Sequence, residues 1–115
     1  MEGLHKLDIK PLSVNEAKSI FRGRITKTKA YRQYERDLLI LLPRNLDFSQ
    51  DRFKVFLIWG FSSKLSDADN PVKPFIDILQ TAYGFNDNQI YEYSIKKEIV
   101  KKGQEFIKFK VEPFT

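Results

Sequence analysis

Cysteine is absent from the 115-residue sequence, which excludes a disulfide, a thiolate nucleophile and a Cys-ligated zinc centre. That usage is compatible with a reducing compartment, so the expected location is the cytoplasm. Histidine occurs once, as His5, on the apolar side of a short alternating segment where packing outweighs catalysis. No segment approaches the length of a membrane span, and Met1 to Lys10 holds no apolar run of signal-peptide length; a soluble, unprocessed chain is expected. No repeat, low-complexity tract or Gly/Ser linker divides the chain, and residues 1–115 suit a single domain. What is plentiful is apolar side chain, 42% of residues with 10 Phe, enough to close a core unaided. Lys and Arg number 20 against 15 Asp and Glu, a formal net charge of +5. Such a balance favours polyanionic partners, because basic side chains neutralise phosphates and release condensed counterions.

Hydrophobic spacing divides the chain into six elements. His5, Leu7 and Ile9 alternate with Lys6, Asp8 and Lys10 before Pro11, the pattern of a short strand. Ala30, Tyr31, Tyr34, Leu38, Leu41 and Leu42 repeat at helical spacing, predicting a helix from about Lys29 to Leu42. Phe53, Val55, Leu57, Trp59 and Phe61, with Phe56 and Ile58 between them, read as a strand buried on both faces. Phe75, Ile76, Leu79 and Ala82 predict a second helix ended by Gly84, beginning at Pro71 or as late as Pro74. Two alternating segments follow, Tyr91 to Ile99 and Ile107 to Val111, joined through Lys101, Lys102 and Gly103; they read as an antiparallel hairpin. The order β-α-β-α-β-β predicts an α+β fold, a mixed or antiparallel four-stranded sheet with two helices on one face. The opposite face would be left partly bare, and dimerisation would cover it.

The stretch that carries chemistry is Asp67-Ala68-Asp69-Asn70-Pro71-Val72-Lys73, between the apolar strand and the second helix. In extended backbone Asp67 and Asp69 project to one side and can share a hard cation, with Asp87 as a third carboxylate if the chain returns there. Three close carboxylates repel unless a cation sits among them, and an all-oxygen set suits Mg²⁺, with Mn²⁺ as a substitute. The matching reaction is phosphodiester hydrolysis, with Lys73 offsetting charge at the phosphate and Asp77 as the lysine's partner. The plainer alternative is that Asp67, Asp69 and Asn70 cap a helix, that Lys73 and Asp77 form an ordinary i,i+4 pair, and that Asn86, Asp87 and Asn88 form a turn. From spacing alone the plainer alternative carries more weight.

The ordered set Asp67-x-Asp69-Asn70-x-x-Lys73, Asp77, then Asp87-x-Gln89-Ile90 resembles the active-site region of RusA-type Holliday junction resolvases. The resemblance extends more faintly to Pro11-x-Ser13-x-Asn15 and to the basic stretch leading into Tyr31 and Arg32. It implies a homodimeric, Mg²⁺-dependent endonuclease that nicks four-way DNA junctions in recombination and repair, of a kind often encoded by phages or prophages. It places the catalytic and metal-binding acids on Asp67, Asp69 and Asp87, the essential lysine on Lys73, and Asn70 with Lys73 beside DNA. Two departures stand out: Asn86 occupies the first of a position pair often acidic in that family, and prolines 71 and 74 flank Lys73.

Arg22, Arg24, Lys27, Lys29 and Arg32 cluster before and within the first predicted helix. They are the expected phosphate contacts, which position DNA without reading bases. Tyr31, Tyr34, Tyr91 and Tyr93 are assigned to packing at their spacing. Besides a junction-resolving nuclease, two functions fit the residues: a metal-dependent nuclease acting on flaps or other branched DNA, and a non-catalytic DNA-binding module.

Overall fold

The computed structural model describes residues 3–21 and 23–115, the side chains of 19–21 excepted. Six strands and three helices follow in the order β1 (His5–Leu7), α1 (Val14–Ala17), β2 (Lys18–Phe21), β3 (Arg24–Lys27), α2 (Lys29–Leu41), β4 (Phe53–Phe61), α3 (Val72–Tyr83), β5 (Ile90–Ile99) and β6 (Phe106–Pro113). The main sheet is mixed and four-stranded, in the order β1-β6-β4-β5, so the expected α+β class with a four-stranded sheet holds. The alternating period predicted β1, which stops at Leu7 rather than Ile9, and helical spacing predicted α2 to within one residue of its end. Two features went unread: the short helix α1, and the β2–β3 ribbon that pairs Lys18 with Lys27 and Phe21 with Arg24.

β4 occupies the centre for a physical reason. Its odd positions Phe53, Val55, Leu57 and Trp59 are at most 1% exposed, packed into one core with Tyr31, Tyr34 and Leu38 of α2 and Phe75, Ile78 and Leu79 of α3. Phe75 meets Trp59 edge-on at 5.7 Å and Phe109 at 5.5 Å between ring centroids, contacts worth about 0.5–1.5 kcal/mol each beyond buried area. The even positions Lys54, Phe56 and Ile58 are only half-buried, which corrects the expectation of a strand buried on both faces. Lysine side chains partly cover this open face: Lys54 Nζ lies 4.7 Å from the Phe56 ring centre, and Lys108 and Lys6 lie 4.9 and 5.5 Å from that of Phe106. The ammonium groups themselves face the rings, cation–π contacts worth about 0.5–1 kcal/mol each at exposed sites.

The expected β5–β6 hairpin is not formed. β5 runs parallel to β4 on one side, β6 antiparallel to it on the other, and β4 separates them. The connection from residue 100 to 105 passes the end of β4, where Val100 N–H donates to the Phe61 carbonyl at 2.7 Å, and turns at Gly103, whose φ is +92°. Those residues span the two inter-strand spacings, about 10 Å, that a two-residue turn cannot cross. The most apolar strand thereby gains two neighbours, and β5, rich in Glu and Lys, takes the edge.

α2 is capped by Thr28, whose hydroxyl accepts from Tyr31 N–H at 3.1 Å. α3 starts at Val72, not Pro74, and ends on Gly84 in the left-handed region, which costs least in glycine. No helix among the described residues is long and apolar enough to cross a membrane.

Candidate functional site

The loop between β4 and α3 is held from beneath. Trp59 Nε1 donates to the Ala68 carbonyl at 2.6 Å, Lys97 Nζ donates to the carbonyls of Lys64 and Ser66 at 3.0 and 2.8 Å, and Val14 N–H donates to the Asn70 carbonyl at 3.0 Å. These bonds fix the backbone on either side of the acids and leave Asp67 and Asp69 exposed. The chain does not stay extended there; it bends at Ala68 and Asp69 and turns through Asn70 and Pro71. Asp67 accepts from Asn70 Nδ2 at 3.3 Å, so Asn70 is turned to its neighbour. The Asp69 backbone carbonyl accepts from Val72 N–H at 3.1 Å. The N-cap of α3 is Pro71, with no side-chain cap hydrogen bond, so neither acid serves the helix as a cap.

Lys73, in the first turn of α3, pairs with one carboxylate on its own helix and one from beyond it. Its Nζ is 2.9 Å from Asp77 Oδ1 and 3.4 Å from Asp87 Oδ2. The first partner is the expected i,i+4 carboxylate; the second arrives from 14 residues away. Gln80 completes the arrangement by accepting from Asp87 N–H at 2.8 Å and donating to Asp77 Oδ1 at 3.3 Å. Asn86 caps the single 3-10 turn at Asp87–Gln89, and the Gln89 side chain accepts in return from Asn86 N–H at 2.9 Å. Hydrogen bonding to Asp77 raises the Lys73 pKa, with further help from Asp87 against the opposing effect of burial. Lys73 therefore stays an ammonium.

Two tyrosines flank this cluster. Tyr31 is 6% exposed, and burial, reinforced by Glu35 and Asp77, lifts its phenol to about 12. Tyr93 is 40% exposed; burial of part of the ring and then Asp87 raise its pKa. Packing accounts for Tyr31 and Tyr34, which are buried, while Tyr91 and Tyr93 keep much of their surface in solvent.

The expected convergence of Asp67, Asp69 and Asp87 is not present. Among the described residues no group of three His, Cys, Asp or Glu side chains is placed to hold one ion. Asp87 is drawn to Lys73, and the turn at Asn70–Pro71 sets Asp67 and Asp69 apart from that pair in the hydrogen-bonding network.

Of the expected basic contacts, Arg24, Lys27, Lys29 and Arg32 are exposed, and Arg22 lies outside the described residues. Lys27 and its cross-strand partner Lys18 line a small cleft with Tyr31, Lys73, Pro74 and Asp77, and Lys27 Nζ lies 5.1 Å from the Tyr31 ring centre. Lys29, Arg32 and Arg36 line a shallow open groove on α2. Lys18 and Gln80 are the members of this region that spacing did not single out. Neither carries a motif, and only the fold brings them to Lys73. No protein-family model matches the chain, and no curated protein matches it either.

Proposed function

We propose that the protein is a Mg²⁺-dependent endonuclease acting on branched DNA, with four-way junctions as the preferred substrate. One observation carries the reading: three stretches far apart in sequence meet around the first turns of α3. The Pro11–Asn15 stretch is joined to Asn70 through Val14 N–H, and Asp87 reaches Lys73. These are the stretches on which the resemblance to RusA-type resolvases rests.

The donor set suits a hard cation in kind, although its members are not assembled around a common point. Asp67, Asp69 and Asp87 would hold Mg²⁺, which when bound supplies charge neutralisation at phosphate and an acidified water. The Asp69 carboxylate has no partner among the described residues, so it is available as a ligand without breaking an existing bond. Lys73 keeps a positive point charge at the site, held by Asp77 even when Asp87 turns elsewhere. Lys18 and Lys27 on the ribbon line one cleft with Lys73, and these lysines, with the exposed Arg24, Lys29 and Arg32, would supply cations for the DNA backbone.

A second reading has its own observation. Lys73 is already paired with both Asp77 and Asp87, as a cluster that serves only to hold the α3 region of a non-catalytic DNA-binding module would be. End-labelled four-way junctions, linear duplexes and flaps incubated with and without Mg²⁺ separate the readings. Paired nicks in junctions that need Mg²⁺ support the nuclease. Binding without cleavage under every metal condition selects the binding module.

A further inference from the structure

The face of the sheet turned away from α2 and α3 takes no part in the site around Lys73. Residues paired across strands share a face, and the register sets Lys6, Lys108, Ile58 and Lys96 side by side on this one, a residue from each strand in the order β1-β6-β4-β5. Neighbouring strands lie about 4.8 Å apart, so Lys96 stands about 12 Å from the middle of the Lys6–Lys108 pair, with Ile58 between them. Beside this row the charges are matched: Lys54 is 2.9 Å from Glu92, and Lys110 is 2.9 Å from Glu112. Within the row they are not. Lys6 meets Asp8 only at 3.9 Å, and Lys96 and Lys108 make no ion pair among the described residues. Of the strand acids on this face only Glu98 is likewise without one, so the unmatched charge is positive on balance.

The pattern of cation, apolar side chain and cation discriminates among anionic occupants. A nucleic-acid strand carries a charge on every residue and would set phosphate against Ile58, where an apolar side chain takes the place of a partner. Its bases would need an open ring on which to stack, yet Phe106 is 5% exposed and Phe56 lies beneath Lys54 and Lys110, whose Nζ atoms are 4.7 and 5.8 Å from its ring centre. A second copy laid on this face would bring the same excess of unmatched lysine. An extended peptide fits better. Its alternate side chains point the same way about 7 Å apart, so residues four apart span about 13 Å with one side chain midway between them.

We propose that this face docks an extended acidic segment of a partner protein, laid across the strands. One carboxylate meets the Lys6–Lys108 pair, a second, four residues along, meets Lys96, and a bulky apolar side chain between them rests on Ile58. Carboxylates that draw Lys6 and Lys108 outward also lift their ammonium groups from the Phe106 ring, now 5.5 and 4.9 Å from its centre, and so open further apolar surface to the segment. The inference stands on the sheet face alone and does not require the nuclease reading.

The test titrates the full chain, labelled with nitrogen-15, with a blocked peptide of sequence Ser-Asp-Ser-Leu-Ser-Asp-Ser and follows the backbone amides by NMR. Amides of β1, β4, β5 and β6 are expected to shift, with a Kd of about a millimolar or tighter. Lys96→Glu, which breaks no ion pair among the described residues, should weaken binding about tenfold while circular dichroism shows the variant folded. A peptide with lysine in place of one aspartate should recover the loss on that variant. Serine in place of the leucine should also weaken binding to the parent, about tenfold. Absence of shifts at several millimolar peptide, or equal affinity after either the Lys96→Glu or the leucine-to-serine change, would overturn the proposal. So would an oligothymidylate that shifts the same amides and binds more tightly than the peptide, which would give the face to nucleic acid, or shifts of those amides with protein concentration alone, which would give it to a second copy. None of these readouts involves cleavage, so a chain that binds the peptide without cutting DNA would sink only the functional reading, and an active nuclease that ignores the peptide only this one.

Discussion

Lys73 Nζ stands 3.4 Å from Asp87 Oδ2, the contact through which the segment after α3 returns to the beginning of that helix. The lysine side chain is 54% exposed and Asp87 43%, so water screens the pair and its share of stability is small, about 0–1 kcal/mol. Its value is positional. Asp87 is held beside the helix whose entry loop carries Asp67 and Asp69.

Lys73→Met is therefore expected to cost no more than about 1 kcal/mol in urea denaturation near neutral pH while removing the cation at the site. On the nuclease reading, junction cleavage falls at least a hundredfold and junction binding changes far less. Equal loss of binding and cleavage would make Lys73 a DNA contact only.

Asp69→Asn keeps the size of the side chain and removes its charge. Because the Asp69 side chain caps no helix and pairs with nothing among the described residues, the thermal midpoint should move by no more than about 2–3 °C, consistent with about ±0.5 kcal/mol for an exposed site. Mg²⁺-dependent nicking should disappear with junction affinity retained. A variant that nicks at the parental rate would remove Asp69 from the catalytic set.

Trp59→Phe retains the aromatic contact with Phe75 but loses the bond from Nε1 to the Ala68 carbonyl. A cost of about 1–3 kcal/mol is expected where the carbonyl is left without a partner. Amide hydrogen exchange should quicken in residues 66–70 and stay slow in β4. Unchanged protection of that loop would show that Lys97 and Val14 suffice to hold it.

Gly60 backs directly onto Phe106: a Cβ placed at Gly60 would come within 2.4 Å of the ring. Gly60→Ala should cost about 1–3 kcal/mol by overpacking, and much less when Phe106→Leu is already present. Denaturant midpoints of the two single variants and the double variant measure that coupling. Strict additivity would mean that the ring does not meet Gly60.

Alkaline pH should unfold the protein through its phenols. Burial raises Tyr31 and Tyr83 to about 12, above the value of about 10 for an unfolded chain. The folded state therefore holds these protons more tightly. Their contribution is complete below pH 10 and is lost as pH rises toward 12. Urea midpoints should decline over that interval, and the decline should be shallower in Tyr83→Phe. Absorbance near 295 nm should show the two phenols titrating late or together with unfolding.

The alternation of Phe53, Val55, Leu57 and Trp59, and the helical repeat of Tyr31, Tyr34 and Leu38, were legible as a central strand and an amphipathic helix because side-chain period depends only on local backbone geometry. Neighbour choice was not legible. β5 and β6 each alternate cleanly, which establishes their faces but not which strand lies beside them, and β4 took both as partners because burying it recovers the most apolar surface. In the same way, α1 and the β2–β3 ribbon contain too few residues to produce a periodic signal, and their shape depends on contacts such as Thr28 Oγ1 with the Glu16 carbonyl at 2.6 Å.

The sequence by itself determined the α+β class, the absence of thiol chemistry, the basic balance and the i,i+4 attachment of Lys73 to Asp77, since composition and short-range spacing are local properties. Only the tertiary structure decided that Asp87 comes to Lys73, that Asp67 and Asp69 sit on a turn pinned by Trp59, and that β5 is left at the edge. Those outcomes depend on which distant segments the packed core brings together, and no spacing along the chain encodes that.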